Sequence, residues 1–283
     1  MIVIKLFFKL VTFAILILTC TLMLFGTFDA TVINNKPYDP NYIGEGKNVT
    51  REGEKYAYDS LKIQNYLLKG EKFFEEGKEE KLVFLTFDDG PSLDNTPKVL
   101  DILKEHNVKG TLFVLGTNLD KGEEYRELLK RTLYEGHAIA NHGYSHNYSY
   151  LYPGRVINQE NFLSDMNKSR DKMKEILGEN FDTRVLRLPG GIRSWKGQTA
   201  ALERLNSEGL TVLEWNALSG DAEGKFKTPE ELLQNAIRTA GNSNVVVMLM
   251  HDFAGKGGRL SREALPKIIE YFKQNGYKFA TLS

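Results

Sequence analysis

A chain of 283 residues with 41% hydrophobic and 26% charged side chains has the make-up of an ordinary globular protein, which excludes disordered and collagen-like architectures for its bulk. Basic and acidic residues balance at 37 each, so the positive excess that advertises nucleic-acid binding is missing and no nucleic-acid partner is expected. The single cysteine, Cys20, excludes an intrachain disulfide and a cysteine-based zinc site, which leaves any metal to histidine and carboxylate.

Residues 10–28 form an uninterrupted uncharged run, close to the ~20 residues that cross a bilayer core as a helix. Lys5 and Lys9 precede it, and the tendency of such charges to stay cytoplasmic puts everything after Phe28 outside the cell. Residues 1–28 therefore read as a cytoplasmic tip and a single transmembrane anchor. A cleaved signal peptide, hence secretion, is the alternative; the run is longer than a usual signal core, and Phe28-Asp29-Ala30 is a poor cleavage site. Residues 29–80 are polar, with a short amphipathic helix predicted within 56–74, and read as an extracellular spacer.

From Lys81 to Ser283 short β-rich apolar runs alternate with helical stretches, at 82–87, 110–115, 137–141, 185–188, 210–215, 245–250 and 277–281. Helix boundaries carry their own signals: Thr228-Pro229 with Glu231 three residues after the threonine, and Asn275-Gly276 closing the last helix. Such alternation predicts an α/β fold, a distorted (β/α) barrel of about seven strands. Function in such folds gathers at the carboxyl ends of the strands. There the chain places Asp88-Asp89-Gly90, His142 through His146, Arg187, Asn216 to Asp221, and His251-Asp252.

Taken singly these clusters are ambiguous. Asp88-Asp89-Gly90-Pro91 is compatible with a solvated turn, and also with a pair in which one carboxylate binds a metal and its neighbour acts as base. His142 and His146, four apart, are compatible with ordinary loop residues, and also with two ligands of a site completed by a carboxylate and an open position. His106 and His137 read as ordinary helix-end and strand-start residues.

Together, Thr86-Phe87-Asp88-Asp89-Gly90, His142-Gly143-Tyr144-Ser145-His146, Arg187-Leu188-Pro189, Trp215-Asn216 with Asp221, and Leu249-Met250-His251-Asp252 resemble, in order and spacing, the five motifs of the polysaccharide deacetylases, the NodB-homology or carbohydrate esterase four family. The resemblance covers 81–283. It implies one divalent metal ion, zinc or else cobalt or another, held by Asp89, His142 and His146. It implies Asp88 as general base with Arg187 paired to it, and His251 as general acid supported by Asp221. It further implies an oxyanion contact at the Gly190 N–H, and an acetyl pocket walled by Trp215 and Leu249. Two positions depart from the family pattern: Gly143 stands where Ser or Thr follows the first histidine, and Gly190-Gly191 stand where an aromatic follows the motif-three proline. The Pro-Gly-Gly and Trp-Asn-x-x-Ser-Gly-Asp variants are similar to those of peptidoglycan N-acetylglucosamine deacetylases.

The expected activity is therefore metal-dependent removal of N-acetyl groups from amino sugars of an extracellular polysaccharide, with peptidoglycan as leading substrate. An O-acetyl esterase on another glycan uses the same water activation and stays open. A glycan-binding module without catalysis is the alternative from a different class; against it stands the presence of base, ligands, arginine and acid in one chain.

Overall fold

The computed structural model describes residues 39–283. Its sheet grows from β2 (Leu82–Gly90), buried on both faces along almost its whole length, as a central parallel strand covered by helices must be. On one edge the end of β2 pairs with β3 (Thr111–Val114), followed in order by β4 (Ala138–Asn141), β5 (Val185–Leu186) and β6 (Thr211–Val212). On the other edge lies β8 (Val245–His251), with β7 (Ala217–Leu218) beyond it. β9 (Lys278–Leu282) pairs with the start of β2 and carries β1 (Ala57–Tyr58). Every ladder is parallel, and the sheet curls into an incomplete barrel, the distorted (β/α) barrel that strand-helix alternation predicts.

All seven predicted strands form. β5 and β6 are shorter than the apolar runs at 185–188 and 210–215, because the backbone leaves the ladder to deliver Arg187 and Glu214 to the interior. Among the described residues no ladder joins β6 to β7, so the barrel has an open seam there. Side chains tie it. Asn216 imitates a strand against β8, its Nδ2 donating to the Val245 carbonyl and its Oδ1 accepting from Val247 N–H, each at 2.8 Å. Arg187 Nε donates to the Leu213 carbonyl at 2.9 Å from the opposite side.

Helices α2 (Thr96–Glu105), α4 (Glu123–Tyr134), α6 (Gln159–Leu177), α7 (Gln198–Ser207), α8 (Pro229–Ala240) and α9 (Lys256–Gln274) connect the strands. They are supplemented by one-turn α3 (Gly116–Leu119) and α5 (Tyr148–Leu151). The sequence signal at 228–231 is a reciprocal cap on α8: Glu231 N–H donates to Thr228 Oγ1, and Thr228 N–H donates back to the Glu231 carboxylate.

The reading of 29–80 as a spacer needs correction from Asp39 onward, since residues 39–80 belong to the same unit as the barrel. Helix α1 (Ser60–Lys69) inserts Ile63 into the core cluster formed by Leu82, Phe84, Val245 and Leu282, with Tyr66, Leu67, Phe73 and Phe74 packed around it. Asn48, also buried, donates through Nδ2 to the Ile139 and Leu282 carbonyls and so bridges β4 and β9. Gln64 Oε1 accepts from Val212 N–H and extends the ladder of β6. The apolar residues that dock this segment are scattered among polar ones, and side-chain amides satisfy backbone groups, which is why its composition reads as a linker. The predicted transmembrane anchor lies outside the described residues, among which no helix is long and apolar enough to cross a membrane.

Candidate active site

Neighbouring residues on a strand normally face opposite sides of the sheet. Asp88 and Asp89 escape that rule because the β2–β3 register shifts between Asp88 and Gly90, a bulge in which Asp89 takes a positive φ of 73°. Asn118 Nδ2 holds the bulge by donating to the Asp89 carbonyl at 2.7 Å. Both carboxylates therefore reach one rim: Asp88 buried and facing inward, Asp89 partly open.

The two histidines are brought together by a loop wrapped over α6. Asn141 starts it, its Oδ1 accepting from Gly143 N–H and its Nδ2 donating to the Met166 carbonyl, each at 2.9 Å. Asp165 on α6 then accepts from Tyr144 N–H at 2.7 Å and from Ser145 N–H at 3.2 Å. Gly143 is required by this approach, for its φ is 85° and a Cβ would stand 2.7 Å from Asp165 Oδ2. The loop ends with His146 at φ 52°, turning its ring back toward His142, with centroids 5.4 Å apart.

One ligand atom each from Asp89, His142 and His146 lie within 4.8 Å of one another. Asp89 Oδ1 is 3.4 Å from His142 Nε2 and 3.6 Å from His146 Nε2, yet it is buried and makes no hydrogen bond. A buried, unpartnered carboxylate oxygen facing two imidazole nitrogens is the environment a divalent cation satisfies, so the residues fit a metal. His142 Nδ1 contacts the Arg187 carbonyl at 2.9 Å; a carbonyl can only accept, so Nδ1 carries a proton and Nε2 is the atom turned toward Asp89. Burial alone would raise the Asp89 carboxyl, but the approach of His142 and the charges of His251 and His146 outweigh it and hold it at about 2. Burial and the charge of His142 push His146 down, toward the neutral form that ligates.

Arg187 is fully buried. Its Nη1 donates to Asp88 Oδ1 and to Thr86 Oγ1, each at 2.8 Å, and its guanidinium lies over the Phe113 ring, 4.1 Å from the centroid. With Oδ1 engaged, Asp88 presents Oδ2 toward the histidines, 3.8 Å from His142 Nε2. Asp88 is also the ladder partner of His251, so the two stand side by side on adjacent strands, on the inner face that Thr86 and Leu249 share. His251 Nδ1 bonds Asp221 Oδ1 at 2.8 Å, while Asp221 Oδ2 accepts from His251 N–H and Ser261 Oγ. Burial opposes the charged imidazole, but the Asp221 bond and charge prevail and raise His251 to about 9. Its Nε2 is thereby protonated and free to face a substrate.

Gly190 is exposed at φ 77°, and Gly191 packs so closely that a Cβ would meet Trp215 Cη2 at 2.6 Å. Trp215 and Leu249 lie at this mouth, Leu249 on the inner face and Trp215 with its ring centroid 5.5 Å from the Arg187 guanidinium. Sequence reading named all these residues but missed their supports. Glu214, buried, accepts from Ile192 N–H at 2.9 Å and fixes the Gly190-Gly191 turn; burial raises its carboxyl above the usual range. Asp252, which the sequence places at its strand end without assigning it a role, is fully buried, bonds Ser92, Asn95 and Thr96 and locks the turn after Asp89; burial pushes it up to about 8. An acid inside an apolar run was the available signal for Glu214. Asp165 offered only an acid on the inward side of a helix.

Residues 75–212 match the polysaccharide deacetylase family profile. A putative polysaccharide deacetylase of Bacillus subtilis, YheN, is 32% identical over 234 residues, 79% of this chain and 76% of the relative. The chain belongs to the polysaccharide deacetylase family. Among other members, a peptidoglycan-N-acetylglucosamine deacetylase of Bacillus cereus is 32% identical over 201 residues, 71% of this chain and 66% of the relative. The solved structure of a Streptococcus mutans CE4 esterase superposes with a TM-score of 0.77 at 37% identity, covering 87% of this chain and all of that one. As a polysaccharide deacetylase the chain is a hydrolase, and its five family motifs are the segments that meet at this rim.

Proposed function

We propose that this polysaccharide deacetylase is a metal-dependent N-deacetylase of cell-wall glycan, acting on the N-acetylglucosamine of peptidoglycan. The observation that carries the reading is the convergence on one rim of a three-ligand cluster, an Arg-paired carboxylate and an imidazole bonded to Asp221. Relatives named as peptidoglycan N-acetylglucosamine deacetylases support the choice of substrate.

Asp89, His142 and His146 would hold the metal, which when bound supplies Lewis-acid polarisation of the acetamide carbonyl and of water. Asp88, oriented by Arg187, takes a proton from the attacking water through Oδ2 as the new C–O bond forms. Charge that develops on the former carbonyl oxygen is met by the Gly190 N–H at the rim. His251 gives its Nε2 proton to the amide nitrogen as the C–N bond breaks, because an amine anion cannot leave unprotonated; Asp221 keeps that imidazole charged and oriented. The products are acetate and a free amino sugar. Trp215 and Leu249 wall the space left for the acetyl methyl. Residues 10–28 would hold the domain on the outer membrane face, where this glycan lies.

The test is acetate release from peptidoglycan and chito-oligosaccharides with zinc, with cobalt and with chelator, mass spectrometry locating the freed amine. Metal-dependent acetate with a new amine is the expected result. Acetate without a new amine would identify an O-acetyl esterase, and no acetate from any acetylated glycan would overturn the enzymatic reading.

A further inference from the structure

Beside the ligand cluster stands an aromatic side chain that the mechanism does not use. Tyr148, the first residue of α5, is two positions beyond His146 and its ring lies against that imidazole, centroids 5.1 Å apart. It is 44% exposed, unusual for a large ring held so firmly. Trp195 meets it edge-on at 5.1 Å, and Trp195 is stacked on buried Tyr152 at 3.9 Å. Trp195 Nε1 in turn donates to the Pro189 carbonyl, so the aromatic group and the Gly190 turn are one rigid piece.

The phenol points over that turn. A Cβ built at Gly190 would meet Tyr148 Oη at 3.3 Å and Trp195 Cζ2 at 3.2 Å, so the room for a side chain at 190 is already filled from the other side of the mouth. Among the described residues the Tyr148 hydroxyl has no hydrogen-bond partner. A hydroxyl that can both donate and accept, on a braced and exposed ring between a ligand histidine and the proposed oxyanion donor, is placed to grip whatever carries the acetamide.

We propose that Tyr148 is the substrate-orienting residue of this enzyme: its hydroxyl bonds the pyranose bearing the N-acetyl group and its ring packs on the sugar face, the task for which Gly190 has no side chain. This rests on the deacetylase reading. An acetamide held at the ligand cluster with its oxygen at Gly190 N–H brings its sugar over the Gly190 rim, where Tyr148 stands.

The test compares wild type, Tyr148→Phe and Tyr148→Ala on chitotetraose and on 4-nitrophenyl acetate, which has the acyl group and no sugar. Loss of one hydrogen bond predicts about a tenfold fall in kcat/KM on the glycan for Tyr148→Phe, and loss of ring and hydroxyl about a hundredfold for Tyr148→Ala. In Tyr148→Phe, which keeps the ring against His146, ester hydrolysis and bound zinc should stay within about twofold, because neither involves the sugar. Equal losses on both substrates, or no loss on the glycan, would overturn the proposal while leaving the deacetylase reading intact. Wild-type protein without glycan activity would overturn that reading instead; chitotetraose binding then decides for Tyr148, supported by a tenfold weaker Kd in Tyr148→Ala and refuted by an unchanged one.

Discussion

Asp88 and Asp89 are adjacent acids with separate surroundings, and the separation is testable. Asp88→Asn keeps the Arg187 contact and leaves Asp89, His142 and His146 in place, so bound zinc should be unchanged while kcat falls by about 10²–10⁴. His142→Ala should do the reverse in order, weakening zinc first and losing activity in consequence. Zinc content and turnover measured on both variants check the division, and parallel loss of metal in Asp88→Asn would refute it. His251 makes the second test. Its folded value of about 9 lies above the ordinary 6.5, so the imidazole stays charged through neutral pH and its charged pair with Asp221 is lost as pH rises through about 9. The alkaline limb of kcat/KM should fall in that window, and Asp221→Asn should move it toward acid; an unmoved limb would remove Asp221 from the role. These residues were legible because chemistry at strand ends demands particular side chains at particular spacings. Asp165 and Glu214 were not, because a supporting acid is defined only by the backbone N–H groups that tertiary folding brings to it.

At the scale of elements, β2 and β8 were readable as continuous apolar runs, and the cap of α8 was readable from three residues. The segment from 39 to 80 misled for an energetic reason. Its attachment relies on scattered apolar side chains, Ile63 with Tyr66, Leu67, Phe73 and Phe74, and on amide side chains that satisfy backbone groups, a pattern that composition alone does not display. Ile63→Ala should therefore cost about 2–5 kcal/mol, read as a lower urea midpoint with an unchanged slope. A midpoint indistinguishable from wild type would mean that α1 is an ornament on the barrel. The glycines follow the same logic: Gly143 and Gly191 look like losses in a family comparison, yet each lets another group, Asp165 or Trp215, approach the backbone.

For the molecule as a whole, the site and the fold share their energetics. The cluster of Asp89, His142 and His146 joins β2 to the loop after β4, so a metal bound there ties two strands together and favours the folded state. Zinc at a hundred times its Kd should add about 2.7 kcal/mol, seen as a rise in Tm that chelator reverses and that His142→Ala lacks. A Tm indifferent to zinc and chelator would argue against the cluster as a metal site.

The open seam between β6 and β7 gives Arg187 a double duty. One guanidinium fastens the β6 lip of an unfinished cylinder, at the Leu213 carbonyl, to Thr86 on the central strand β2, and at the same moment orients the Asp88 carboxylate proposed to take a proton from the attacking water. Selection for a sturdier scaffold and selection for a faster reaction therefore act on the same atoms, and neither property can drift at this position without dragging the other with it.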